Sequence, residues 1–402
     1  MEIDTMAYPV KWYSSNMQGA GNLGDSTEGA LTALLKSILV TGFGTLAINA
    51  LSFDTAKGWA VATFTGGHAY LQDSVVQVDG VSPAAYNGEH RVMLVTATQV
   101  WFELDGGNPG AAGSGASMTM KVAPLGWTLT HESGDGKVAI YRPANISESG
   151  NVSLRIDNTA FSGWSGVTYR GYLAKVAMVE DVTDINTYTT IYEQRWPATK
   201  RYSSGRWDFI GDAQLFYFLP YYGAMNRSAL YLFGYMRSIR PGDRYHALLV
   251  HYPTTSADDT ARRWDQSGNG YSAYYNTAGT FDSTANRSVA RAYHQLFGTT
   301  SWFLKGLFGR FGQGIVVPNG PDNGFYLSTD PIMVMENGNH LRGYLPGIIC
   351  PYGTISSWDG KNFKDLPAMP GKFVRFLNTQ ADADPFNAGL VMVGFDIAGP
   401  WR

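Results

Sequence analysis

The hydrophobic pattern changes period once near the N-terminus. Leu31, Leu34, Leu35, Ile38 and Leu39 recur at spacings of three and four, which predicts one amphipathic helix with a single apolar stripe. Asp25 and Glu28 stand three apart ahead of it as a capping-box-like pair. Gly42 and Gly44 end it, because glycine tolerates the left-handed conformation just past a helix C-terminus. The stripe has to lie against something, either the chain's own first β-domain or a neighbouring subunit. From Ala47 onward the period is two. Runs such as Trp59–Phe64, Ser74–Val78, Arg91–Val95, Gln99–Leu104 and Met118–Val122 alternate apolar and polar positions, and Gly66-Gly67, Asp79-Gly80, Asn87-Gly88 and Asp105-Gly106-Gly107 punctuate them. Asn-Gly and Asp-Gly suit tight turns that need positive φ. Strands this short and this regularly spaced predict a small antiparallel sandwich, expected to be immunoglobulin-like.

Further along, residues 151–156, 172–179, 214–219, 230–236 and 245–252 read as strands, and beyond Pro253 the strands become short, among many Gly, Asn and Phe. The expected fold class is therefore mainly β. It comprises an N-terminal arm and amphipathic helix (1–44), a small sandwich (45–124), a second β-rich domain (125–253) and an aromatic, Gly-rich β and loop region (254–402).

Composition sharpens this picture. Aromatic residues make up 14% of the 402-residue chain and Gly numbers 47, which fits strands joined by tight turns. Charged residues reach 16%, below the roughly 25% of ordinary soluble domains. That low charge suggests a surface partly covered by partner chains. The net charge of −3 lacks the basic excess of a nucleic-acid binder. A single cysteine, Cys350, cannot form an intrachain disulfide and lies in an apolar run, where a buried structural thiol is the expectation. The longest apolar stretch, 31–40, contains Lys36 and is too short to span a bilayer. The N-terminus carries Glu2 and Asp4 where a secretory leader would be basic. A soluble protein made in a cytoplasm is expected, one that leaves a cell only as part of something larger.

The chain contains no phosphate loop, no His-Glu-x-x-His, no paired CxxC and no Gly-x-Ser-x-Gly. His246 and His251 are five apart, which on one strand places them on opposite faces and disfavours a shared metal. Asp258-Asp259 and Asp382-Ala383-Asp384 lie among turn formers. Lys361 and Lys364 interrupt the oxygen-rich 359–365 stretch where a calcium loop would need ligands. A glycan-cleaving enzyme needs two carboxylates across a cleft, and the sequence pairs none. Trp164, Trp207, Trp264 and Trp302 are the aromatic residues to inspect as sugar platforms, with core or interface packing as the plainer role. The expectation is a non-enzymatic chain with no cofactor and no metal.

Several segments, in order, resemble a family of tailed-bacteriophage virion structural proteins from siphophage, Mu-like phage and prophage clusters. They are 10–19 (VKWYSSNMQG), 29–44 (GALTALLKSILVTGFG), Gly67-His68, 78–94 (VDGVSPAAYNGEHRVML), 123–127 (APLGW), 207–217 (WDFIGDAQLFY), Phe233-Gly234 and 240–243 (RPGD). The chain departs from the family at Ala20-Gly21-Asn22, where a proline is usual, and in 178–184, where the acidic-Met motif is only partial. After Pro253 the resemblance stops.

The resemblance implies a virion structural protein of the tail, baseplate or tail tip. Its partners would be copies of itself and other virion proteins, without nucleic acid or a membrane span. A head decoration or neck protein, and a tail protein that binds or cleaves a host surface glycan, are the alternatives. Trp12, Tyr13, Leu31, Leu34, Leu35, Ile38, Trp207, Tyr221, Tyr222 and Trp264 are the expected protein-interface anchors, since interface cores are enriched in aromatics.

Overall fold

The computed structural model describes residues 8–23, 27–144, 150–159, 173–198, 205–222, 226–227, 230–251, 287–294, 300–305, 315–328, 330–336, 340–380 and 390–402. The architecture is mainly β, with several antiparallel sheets.

The Leu/Ile stripe forms a helix, Ala30–Lys36, that widens into a π turn, Ser37–Thr41, and stops at Gly42 with φ 71°. Its ends are satisfied from elsewhere in the chain. The Leu31 N–H donates to Asn158 Oδ1 at 2.9 Å. At the other end the Ile38 carbonyl accepts from Leu125 N, and the Leu39 carbonyl accepts from both Gly126 N and Trp127 N. These bonds meet the orphan donors and acceptors that every helix terminus exposes. The expected capping box does not form. Gly29 occupies the N-cap in a left-handed conformation with no side-chain cap, and the Glu28 carboxylate pairs with Lys137 Nζ at 2.7 Å. Asp25 lies outside the described residues.

Residues 43–122 form a seven-stranded sheet. Its order is Phe43–Ala47, Thr119–Val122, Val75–Asp79, Gly88–Val95, Gln99–Phe102, Trp59–Thr63, Ala50–Asp54. The long strand Gly88–Val95 shifts register between Val92 and Leu94, and so serves both halves of a sandwich. The two outermost strands are consecutive in the chain. Ile48 N bonds Met118 O and Asn49 N bonds Thr63 O, so the link between them joins the halves. Val76, Val78, Ala60, Ala62, Val92, Phe102 and Met120 fill the interior at essentially zero exposure. The expected immunoglobulin-like arrangement needs correction. That fold places its first strand beside the second, whereas here the first pairs with the seventh and the second lies at the far end.

The next unit is a five-stranded meander in chain order: Thr128–Glu132, Val138–Arg142, Ser153–Asp157, Leu173–Asp184 and Thr187–Pro197. The helix packs on it, with Tyr141 OH donating to Thr32 O at 2.8 Å and Thr32 Oγ1 to Lys137 O at 3.1 Å.

The large sheet counts 16 strands among the described residues. Trp207–Gly211, Leu215–Tyr222, Tyr231–Tyr235 and Ala247–Val250 are its centre. Phe216 and Phe218 turn one way, towards Trp196 of the meander, with Trp127 also against Phe216; Tyr217 turns the other way, towards Phe395 and Trp401. Burial on both faces explains why this segment reads as a continuous apolar run and not as an alternation. From Ala247–Val250 the sheet continues through Arg287–Val289 and Thr300–Lys305 to Ile332–Glu336, His340–Leu345 and the edge Arg237–Ser238. In the other direction it runs through Asn226–Arg227, Met369–Gln380, Leu390–Asp396 and Ile348–Pro351 to the edge Leu327–Ser328. The boundary expected near 253 is thus crossed by sheet pairing, Leu248 opposite Val289. The N-terminal arm supplies a strand, Lys11–Ser14, paired antiparallel with Trp207–Gly211.

Candidate functional site

The residues expected to meet partners are occupied within the chain. Trp12 donates its indole N–H to Asp73 O at 3.0 Å and stacks under the Arg375 guanidinium at 3.7 Å. Tyr13 OH donates to Ala123 O at 3.0 Å, and burial holds its pKa well above the ordinary phenol value. Trp207 donates to Gly21 O at 2.8 Å. Leu31, Leu34, Leu35 and Ile38 are buried in the same core as these aromatics. Seven of the expected interface anchors therefore have no surface to offer a partner in this fold, because internal seams have used it. Tyr221 is half-buried, its hydroxyl 3.2 Å from Asp208 Oδ2. Trp164, Trp264 and the side chains of Tyr222 and Trp302 lie outside the described residues.

His246 and His251 flank one strand and face different surroundings. His246 packs edge-on against Tyr235, and burial pushes its pKa down to about 4. The His251 ring lies against Tyr192, with Nε2 3.3 Å from Ser288 Oγ. The 359–365 stretch does turn work: Asp359 Oδ1 accepts from Asn378 N and Asp365 Oδ1 from Gly371 N. Among the described residues no group of three or more His, Cys, Asp or Glu is placed to hold a metal. No helix among them is long and apolar enough to cross a membrane.

A concentration of chemistry that sequence reasoning missed is a buried ion triad. Arg342, 1% exposed at its side chain, places Nη1 2.6 Å from Glu336 Oε1 and Nη2 2.6 Å from Asp243 Oδ2. The second Glu336 oxygen accepts from Tyr293 N, and Asp243 also accepts from Ser238 Oγ and Tyr245 N. Three charges removed from water persist only when paired, and the pairing here is electrostatic more than hydrogen-bonded on the arginine side, since Arg342 Nε and Nη2 are buried without a hydrogen-bond partner. One signal was available. Glu336 lies at the same strand parity as Ile332 and Val334, so the alternation alone puts a carboxylate on the buried face.

The triad clamps the edge strand Arg237–Ser238 onto His340–Leu345, with Arg237 opposite Tyr344 and Ile239 N bonded to Arg342 O. Beside this edge opens a cleft of about 780 Å³. Arg237, Ser238 and Ile239 line it from one end of the sheet, and Ser328, Asp330 and Pro331 from the stretch that leads from the edge strand at the other end, Leu327–Ser328, into Ile332–Glu336. The ends meet because His340–Leu345 and Ile348–Pro351, each one place in from an edge, are joined by Pro346-Gly347. Gly347 holds φ 73°, and a Cβ there would fall 2.0 Å from the Trp401 ring. Lys372, paired with Asp396 at 2.7 Å, and Met369 complete the wall with Leu345, Ile348 and Ile349. The guanidinium of Arg237 and the hydroxyl of Tyr344 make no hydrogen bond or ion pair among the described residues.

Comparison of the chain with family models, curated proteins and solved structures finds no match.

Proposed function

We propose that the chain is a non-enzymatic structural subunit of a tailed-phage particle, placed in the tail, baseplate or tail tip and acting through protein–protein contacts. One observation carries this reading. The segments that resemble the virion family are the ones that lock the sheets of this chain together. In 10–19, Lys11 Nζ bridges Glu89 at 2.9 Å and Pro124 O at 2.8 Å. In 29–44, Gly44 approaches Gly19 so closely that a Cβ on Gly19 would lie 2.4 Å from its Cα. In 123–127, Trp127 donates to Asp212 O at 3.0 Å, within the 207–217 segment. Asp243 of 240–243 holds Arg342. A resemblance concentrated in internal seams supports selection for a rigid body more than for a reaction centre.

The test is mass spectrometry of density-gradient-purified particles from the genome that encodes the chain. The expected result is co-purification at a fixed ratio to other particle proteins. Absence from purified particles overturns the reading. Immunogold labelling then separates tail from head or neck.

A further inference from the structure

We propose that the edge segment 237–244 is a docking knob for a different protein chain, one that presents carboxylates around an apolar spot. The inference rests on the assembly reading above and names the surface that such a partner would carry. Three observations carry it. First, unspent positive charge is concentrated here. Arg237, Arg240 and Arg244 are exposed, and their side chains make no hydrogen bond or ion pair. Among the described side chains no other exposed arginine is in that state. Elsewhere Arg195 pairs with Glu193, Arg291 with Glu180 and Arg402 with Asp212. The whole chain has a net charge of −3, so three unanswered guanidinium groups on one short segment depart from its own balance. A guanidinium grips a carboxylate through two parallel hydrogen bonds and sheds water more readily than an ammonium, which suits it to a protein interface. Second, Ile239 stands between these arginines at 51% exposure. Arginine beside an exposed aliphatic side chain matches the composition of interface anchors; a nucleic-acid or saccharide polyanion would leave Ile239 uncovered.

Third, the segment is held firmly and projects. Pro241 and Gly242 form a turn with the residue order of type II, φ being 67° at Gly242 and Asp243 N lying 3.3 Å from Arg240 O. A Cβ at Gly242 would meet nothing within 4 Å, so the turn faces open space. Beneath it the Asp243 carboxylate is paired with Arg342 and accepts from Ser238 Oγ, which in turn accepts from Arg240 N at 3.1 Å. Little ordering cost then falls on the main chain of the knob. A second copy of the chain is a poorer match than a different one. Several of its surface carboxylates are already paired internally, Glu28 with Lys137, Glu132 with Lys36 and Asp54 with Lys57.

The experiment is selection of displayed random peptides on the purified full chain, with elution by raised salt. Selection is repeated on a double variant, Arg240→Glu with Arg244→Glu, altered only at exposed positions and checked by circular dichroism for unchanged fold. Enriched peptides are expected to be rich in Asp and Glu and to keep a large apolar residue. Their binding should weaken as salt rises. It should fall at least about tenfold in the double variant, a change of about 1.4 kcal/mol. Selection on the double variant should no longer yield acidic peptides. Lys361→Glu, which reverses an exposed lysine elsewhere on the surface, should leave binding unchanged. Replacing the apolar residue of a peptide by Ser should weaken its binding to the parent chain but not to Ile239→Ser. An equal loss in Lys361→Glu means diffuse attraction and overturns the proposal. Failure to enrich acidic peptides also overturns it, and leaves the arginines serving only to keep the edge from pairing with other strands. An oligonucleotide or an acidic saccharide held through Arg240 and Arg244 more tightly than any peptide reassigns the segment to a polyanion. Self-association lost in the double variant reassigns it to a second copy, and either result overturns the proposal. The selection uses the chain alone, so acidic peptides bound by a chain absent from particles would remove the assembly reading while the knob stands. A particle protein that enriches none does the reverse.

Discussion

Arg342 shows how a single residue can be indispensable without being strongly stabilising. Its guanidinium neutralises two carboxylates that are both buried, so Arg342→Ala would strand Asp243 and Glu336 away from water. The expected loss is about 3–5 kcal/mol, the cost of breaking a buried pair from one side, read as a lower denaturation midpoint in urea. Gly347 is constrained differently. It combines a left-handed φ with a ring where a Cβ would sit, so Gly347→Ala is expected to cost about 2–5 kcal/mol from strain and overpacking together. Nearby, His246 makes stability depend on pH. Burial lowers its folded pKa from 6.5 to about 4, against the opposing pull of Asp243 and with Arg402 and Arg342 adding to the fall. Between those values the unfolded chain binds a proton that the folded chain refuses. The His246 contribution is therefore fully present above about pH 6.5 and is lost as pH falls towards 4. His68 and His90, also lowered by burial, act in the same direction. Urea titrations at successive pH values should show stability falling through this window, less steeply in His246→Gln.

At the scale of elements, the helix separates what a local pattern encodes from what it cannot. The stripe Leu31 to Leu39 was legible because every residue that makes it lies within three turns, and the period-two runs of the seven-stranded sheet were legible for the same reason. The caps were not. Asn158 reaches the helix start from the meander, while Glu28, three after Asp25 in a promising pattern, reaches Lys137 instead. Asn158→Ala is accordingly expected to cost about 1–2 kcal/mol, as loss of a helix cap does, whereas Glu28→Ala removes only an exposed, solvent-screened ion pair and should leave stability nearly unchanged. Thermal midpoints of the two variants distinguish them. The cleft was illegible for the same physical reason. Arg237, Asp330, Tyr344 and Lys372 line one cleft from four separate stretches of the chain, and no local period records that meeting. Trp12, Tyr13 and Trp207, expected at an interface, are buried within the chain, and the reason is related. An aromatic run reads alike whether a strand is covered by a partner or, as at Phe216 and Tyr217, by the chain's own layers on its two faces.

The whole molecule behaves as a body stitched from both ends of the described chain. Arg91 lies between the Tyr8 and Phe373 rings, at 5.2 and 5.3 Å, joining the arm, the seven-stranded sheet and the C-terminal strands. At the far end Arg402 bonds Asp212 and the Tyr235 carbonyl, fastening the last residue to the centre of the large sheet. Trp12 sits where three parts converge, paired in the large sheet, bonded to Asp73 and stacked on Arg375. If these seams couple the sheets, no one of them should melt alone, and calorimetry should give one transition whose calorimetric and van't Hoff enthalpies agree. Trp12→Ala, costing about 3–5 kcal/mol, should lower that transition as a whole instead of splitting it. Cys350 supplies an independent reporter. Its thiol is half-buried and burial pushes its pKa up to about 12, so alkylation at pH 8 is expected to be slow while the strand Ile348–Pro351 is formed and to speed up when it opens. Alkylation that tracks the loss of tryptophan fluorescence means that this strand opens only with the rest. Alkylation well below the calorimetric midpoint would mean that the seam at Pro346-Gly347 opens first, and a separate early transition would mean that the seven-stranded sheet is held by contacts weaker than those the arm and the C-terminus make.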